Sequence, residues 1–61
     1  MTPADLHDWR IKMAISRLEA CRQLGISQNY WTKMQNGISP IPRHIALACA
    51  SLIRGIKPWP E

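Results

Sequence analysis

The sequence predicts an all-α fold, a compact four-helix domain, and three observations predict it. Its 61 residues allow one small domain, because a chain this short buries only about 60% of its unfolded surface. Its three glycines and most of its five prolines fall where helices start or stop. No segment alternates apolar and polar residues over strand length, so no strand is predicted. A chain that is 46% hydrophobic and 20% charged has globular composition.

The elements follow in order. Thr2-Pro3-Ala4-Asp5 opens the first helix: Thr2 caps, Pro3 suits the first helical position, and Asp5 completes a capping box. Leu6, Trp9 and Met13 then form one apolar stripe. Ser16-Arg17-Leu18-Glu19 is a second capping box, and its helix runs to about Leu24 and stops at Gly25. Ser27 caps a third helix, Gln28 to Gln35, which Asn36-Gly37 ends. Pro40 and Pro42 forbid a helix between them, but Pro42 suits the first position of a fourth, running to Arg54 and closing at Gly55. Residues 1–55 therefore read as one domain and residues 56–61 as a proline-rich tail. Leu6, Trp9, Met13, Leu18, Leu24, Ile26, Trp31 and Met34 read as core, and Trp59 either folds back onto an apolar face or stays exposed as a contact residue.

Eight Lys+Arg against four Asp+Glu give a net charge of +4. Asp5, Asp8 and Glu19 precede Ala20 and Glu61 ends the chain, whereas Arg22, Lys33, Arg43, Arg54 and Lys57 lie between with no acid among them. The resulting positive field suits an anionic partner. On charge alone, a merely solvated basic surface explains it equally well.

Cys21 and Cys49 lack CxxC spacing, and the acidic start MTPADLHD is no signal peptide, so a reduced cytoplasm is expected. The longest apolar stretch, Ile45 to Ala50, is far too short for a bilayer, and no membrane partner is expected. There is no Ser/His/Asp arrangement and no glycine-rich phosphate loop. Asp5 and Asp8 are accounted for by the dipole of the first helix. His7, Cys21, His44 and Cys49 match no zinc spacing. The expectation is a non-enzyme with no cofactor and no metal.

Arg17 to Asn36 is the most specific segment. Two short capped helices are joined by Gly25-Ile26-Ser27, with Ile26 as an apolar plug, Cys21 small where the helices approach, and Trp31 and Met34 on the inner face. That is the order a helix-turn-helix needs. The run Leu24-Gly25-Ile26-Ser27, then Trp31, Met34 and Asn36-Gly37, resembles the lambda-repressor-like helix-turn-helix of the Cro and Xre transcription regulators. The flanks agree: Thr2-Pro3 through Leu6 to Trp9-Arg10 is similar to that family's first helix, and Ile41-Pro42-Arg43-His44-Ile45-Ala46 to its fourth. The likeness spans about residues 2–54. It departs at Cys21, where the family usually has alanine, and at Trp31, where it usually has an aliphatic residue.

The resemblance implies double-stranded DNA as partner, with base contacts from Gln28, Asn29 and Lys33. The chemistry agrees: Gln and Asn amides pair bidentately with adenine, and Lys donates to guanine. The plain alternative for Gln28 and Asn29 is ordinary solvated positions near a helix start. Ser27, Tyr30 and Thr32 lie beside them as supporting contacts, although Tyr30 also suits surface packing. Arg17 matches a family position that contacts phosphate, and Asn36 and the Gly37 amide follow the recognition helix where the family's loop nears the strand. Arg43, with His44 beside it, opposes the helix dipole unless a phosphate sits there. A screened surface arginine is the alternative.

The fourth helix is apolar nearly all round. One core-facing stripe uses Ile45, Cys49 (or Ala48) and Leu52, leaving Leu47, Ala50 and Ile53 for a second burial, most simply in a homodimer. A two-fold dimer also places two recognition helices about 34 Å apart on a near-palindromic operator. The leading expectation is a small regulator, a repressor of phage, plasmid or antitoxin type. The alternative is a protein-interaction module using residues 45–53 and Trp59, with a protein partner such as a toxin left unspecified.

Overall fold

Caps set the helix starts. The computed structural model describes residues 1–56, and these form α1 (Pro3–Met13), α2 (Arg17–Leu24), α3 (Gln28–Gln35) and α4 (Arg43–Ile53), with no strand among them. Trp59 and nearly all of the proline-rich tail lie outside the described residues. At α1, Thr2 Oγ1 accepts from the Asp5 N–H at 3.1 Å, and the Asp5 carboxylate accepts from the Thr2 N–H at 2.9 Å. The Thr2 backbone bond, helped by the hydroxyl, holds the Asp5 carboxyl below its ordinary pKa.

At α2 only half of the expected box forms. Ser16 Oγ accepts from the Glu19 N–H at 3.1 Å. The Glu19 carboxylate turns instead to Arg22 at 2.9 Å and Gln23 at 3.1 Å, and these bonds bring its pKa to about 2. At α3, Ser27 Oγ accepts from the Tyr30 N–H at 3.1 Å. The expected start of α4 shifts by one residue. Pro42 stands outside the helix as its cap, with extended backbone (φ −67°, ψ 157°) and no side-chain acceptor to bond the first turn. Arg54 likewise lies just past the last helical residue.

Between α2 and α3 the chain reverses at Gly25, whose φ of +70° is left-handed. Its N–H reaches Arg22 O at 3.3 Å, and the next N–H, of Ile26, reaches Cys21 O at 3.0 Å. Ile26 packs half-buried against the core, as its place in the turn predicts.

The end of α1 has no glycine. Ala14 takes the left-handed conformation there (φ 57°, ψ 41°), which costs an L-residue about 1–2 kcal/mol. Arg10 secures that corner by donating from Nη1 to Ile15 O at 2.9 Å. Ala14 is exposed, so Ala14→Gly is expected to raise stability by about 1 kcal/mol in urea unfolding. A loss of stability would show that the left-handed turn is not adopted in solution.

Each helix contributes two residues to the core: Leu6 and Trp9, Ala20 and Cys21, Trp31 and Met34, Ile45 and Cys49. α1 and α2 each pack against both α3 and α4. Trp9 is the joint of this arrangement. Its ring lies 6.4 Å from that of Trp31, and its indole N–H donates to Cys49 O at 2.9 Å. Gln35 closes the other end by donating to Pro3 O at 2.9 Å. Both thiols are free and buried, and burial raises both pKa values, that of Cys49 to about 11.

One predicted core residue is misplaced. Leu18 is 61% exposed. In eight residues α2 has room for one narrow inner stripe, filled by Ala20, Cys21 and Leu24. At 3.6 residues per turn, Leu18 points about 110° away from its centre.

Candidate nucleic-acid interface

α3 separates two chemistries around its circumference. Trp31 and Met34 are buried at 2% and 0% exposure, while Gln28, Asn29, Thr32, Lys33 and the capping Asn36 are exposed. At 3.6 residues per turn these five span an arc of about 140°. The Ser27 cap fixes the first turn, so Gln28 and Asn29 project from an ordered backbone.

The groups on this arc differ in what they have left to offer. The side chains of Gln28, Asn29, Lys33 and Asn36 make no hydrogen bond within the described residues. Thr32 donates its hydroxyl to Gln28 O at 3.0 Å, which leaves an acceptor lone pair and a methyl group facing out. Ser27 Oγ is held by its cap bond, so its part is to order the turn. Tyr30 lies beyond Lys33 at the edge of the arc, half-buried against the core. The Gly37 amide is not available as the sequence reading expected: it donates to Met34 O at 3.3 Å. The residues after α3 curl back over its last turn, and the N–H groups of Ile38 and Ser39 both reach Lys33 O.

Arg17 is the first residue of α2 and is exposed. With Thr32 and Asn36 it lines a cleft of about 400 Å³ that His7 and Arg10 of α1 and the buried Trp31 also line. Nothing in the sequence pattern singled out His7 or Arg10 for this position. Helical period gives a signal for Arg10 alone, about 70° from the centre of the Leu6–Trp9 stripe, whereas His7 lies about 130° from it.

Arg43 and His44 are the first two residues of α4, and both are exposed. Arg22 and Glu19 form the ion pair among the described residues, at 2.9 Å. Arg17, Lys33 and Arg43 therefore have no carboxylate partner there. On α4, Leu47 is 55% and Ile53 46% exposed, and Ala50 is exposed beside them. The described residues hold no cluster of His, Cys, Asp or Glu that could bind a metal ion, and no helix long and apolar enough to cross a membrane.

No family model, curated protein or solved structure matches this chain. Any functional reading therefore rests on the surface itself: an ordered helix with amides and a lysine on one arc, unpaired arginines around it, and an apolar stripe on α4.

Proposed function

We propose that this chain is a sequence-specific, double-stranded DNA-binding transcriptional regulator of the Cro/Xre helix-turn-helix kind, acting in the cytoplasm as a homodimer. The observation that carries this reading is the outer arc of α3. Gln28, Asn29 and Lys33 stand exposed on an ordered helix, with their hydrogen-bonding groups unused. In this reading α2 braces α3 in the major groove, where the two amides read adenine and Lys33 reads guanine. Arg17, Asn36, Arg43 and His44 contact phosphates, which set register and orientation without choosing sequence. The regulator then represses by occupying its operator and excluding polymerase.

The test is fluorescence anisotropy of a labelled random-sequence duplex, titrated at several salt concentrations. Log K is expected to fall linearly with log salt, by about 0.9 per phosphate neutralised, for about four to eight contacts. On an operator selected from a random library, Gln28→Ala and Lys33→Ala should each cost about 1–3 kcal/mol and relax specificity. No binding at the lowest salt would overturn the proposal.

The exposed apolar stripe of α4 favours a second reading, a protein-interaction module on the same scaffold. Under that reading both alanine variants bind their partner as the parent does.

A further inference from the structure

The cleft between α1, α2 and α3 is larger than a phosphodiester contact needs. At about 400 Å³ it falls within the range of pockets that take small molecules. Its chemistry is one-sided. Arg10, Arg17 and His7 line it and no carboxylate does. Asp5 and Asp8 are on α1 but outside the lining, and the Glu19 carboxylate is held by Arg22 and Gln23.

Two arginines lining one opening suit a dianion better than a singly charged ligand, because a guanidinium fork can hold two oxygens. Arg10 commits one Nη1 donor to Ile15 O and keeps the others. The side chain of Arg17 has no partner among the described residues.

Trp31 is the independent observation. It is 98% buried, being 2% exposed, and it lines this cleft. No described residue accepts from its indole N–H, in contrast to Trp9, whose N–H is satisfied by Cys49 O. Yet among the described residues no buried side-chain donor is left without a partner. Within the described residues the Trp31 N–H is thus neither partnered nor enclosed, and Trp31 lines the cleft.

We infer that this cleft is a binding site for a small organic phosphomonoester. The phosphate sits between Arg10 and Arg17, and His7 and the Trp31 N–H donate to its oxygens. Asn36, also in the lining, offers its amide to a polar body the size of a sugar, and Gln35, whose Nε2 donates to Pro3 O, offers its amide oxygen. The same chemistry has two sources, a free sugar phosphate or the backbone of a duplex, and the volume favours the free ligand.

The test follows the indole N–H resonances of ¹⁵N-labelled full chain, with that of Trp31 assigned from the Trp31→Phe variant. Ribose 5-phosphate, unphosphorylated ribose, inorganic phosphate and a random-sequence duplex are titrated separately. Ribose 5-phosphate is expected to move the Trp31 resonance saturably, at least tenfold more tightly than inorganic phosphate, while ribose does nothing. Arg17→Ala, an exposed position that leaves the core intact, should weaken that binding about tenfold, the loss of one charge-assisted contact. If Trp31→Phe does not fold, Arg17→Ala and Arg10→Ala still test the site by calorimetry.

If the duplex moves the resonance and ribose 5-phosphate does not, the small-ligand site is overturned and the DNA reading stands. If ribose 5-phosphate moves it and the duplex binds nowhere, the small-ligand site stands and the DNA reading falls. Silence with all four overturns the small-ligand site, and the DNA reading is then decided by anisotropy alone.

Discussion

Replacing Trp9 with alanine is expected to abolish the cooperative thermal transition of this protein. Trp9 is 5% exposed and joins α1 to two other helices: its ring lies against Trp31 of α3, and its N–H holds the Cys49 carbonyl of α4. Deleting a buried tryptophan costs about 3–5 kcal/mol. A domain of this size has about 3–5 kcal/mol in all. The two magnitudes are equal, so the variant has nothing left to hold α1 on the other helices. Trp9→Phe keeps most of the volume and loses the hydrogen bond, at about 1–2 kcal/mol, and should fold with a lower midpoint. Far-ultraviolet circular dichroism during heating distinguishes the three chains. An alanine variant that melts like the parent would show that Trp9 is not the joint the structure makes it.

The contrast between Trp9 and the caps shows what the sequence could reveal. Thr2, Ser16 and Ser27 bond N–H groups three residues away, so their effect lies within a window that a local pattern can hold. Gly25 is legible for the same reason, since its left-handed backbone is a local demand. Trp9 could be read as apolar and inward, but its bond to Cys49 spans 40 residues and has no local signature. Leu18 fails for a related reason. Which part of α2 faces inward is settled by the helices it meets, and Ala20 and Cys21 allow the closer approach.

The candidate interface divides in the same way. Gln28, Asn29 and Lys33 share an arc because of helical period, which any reader of the sequence can count. The Gly37 amide looked available because the curl that returns it to Met34 depends on backbone angles after the helix. The cleft draws on three helices, so His7 and Arg10 had no reason to be grouped with Arg17 until those helices were packed. Trp31 was legible as a large aromatic on the inner face of α3, and the structure adds that its N–H is unpartnered within the described residues.

The double variant Leu47→Ser, Ile53→Ser is expected to be a folded monomer with much weaker operator binding. Both side chains lie outside the core, at 55% and 46% exposure, so the fold has little to lose. A symmetric dimer through α4 would bury what remains exposed. Covering half of such a side chain contributes about 0.7–1.5 kcal/mol, or about 3–6 kcal/mol over the four in a dimer. Their loss weakens association by about two to four orders of magnitude. Because a tethered second half-site adds about 100-fold or more in affinity, operator binding should fall by at least that factor.

Salt gives the same interface a second signature. Arg43, Leu47 and Ala50 recur at spacings of four and three on one stripe of α4, which has no acid, and Arg54 follows four residues on as its C-cap. Two such stripes packed together bring like charges near each other, and salt screens them. Dimerisation without DNA should therefore tighten as salt rises, while DNA binding weakens. Sedimentation equilibrium across the salt range reads the first, and anisotropy reads the second. A parent chain that stays monomeric at high micromolar concentration, with and without DNA, would remove the dimer, and a double variant that dimerises as the parent does would move the interface away from α4.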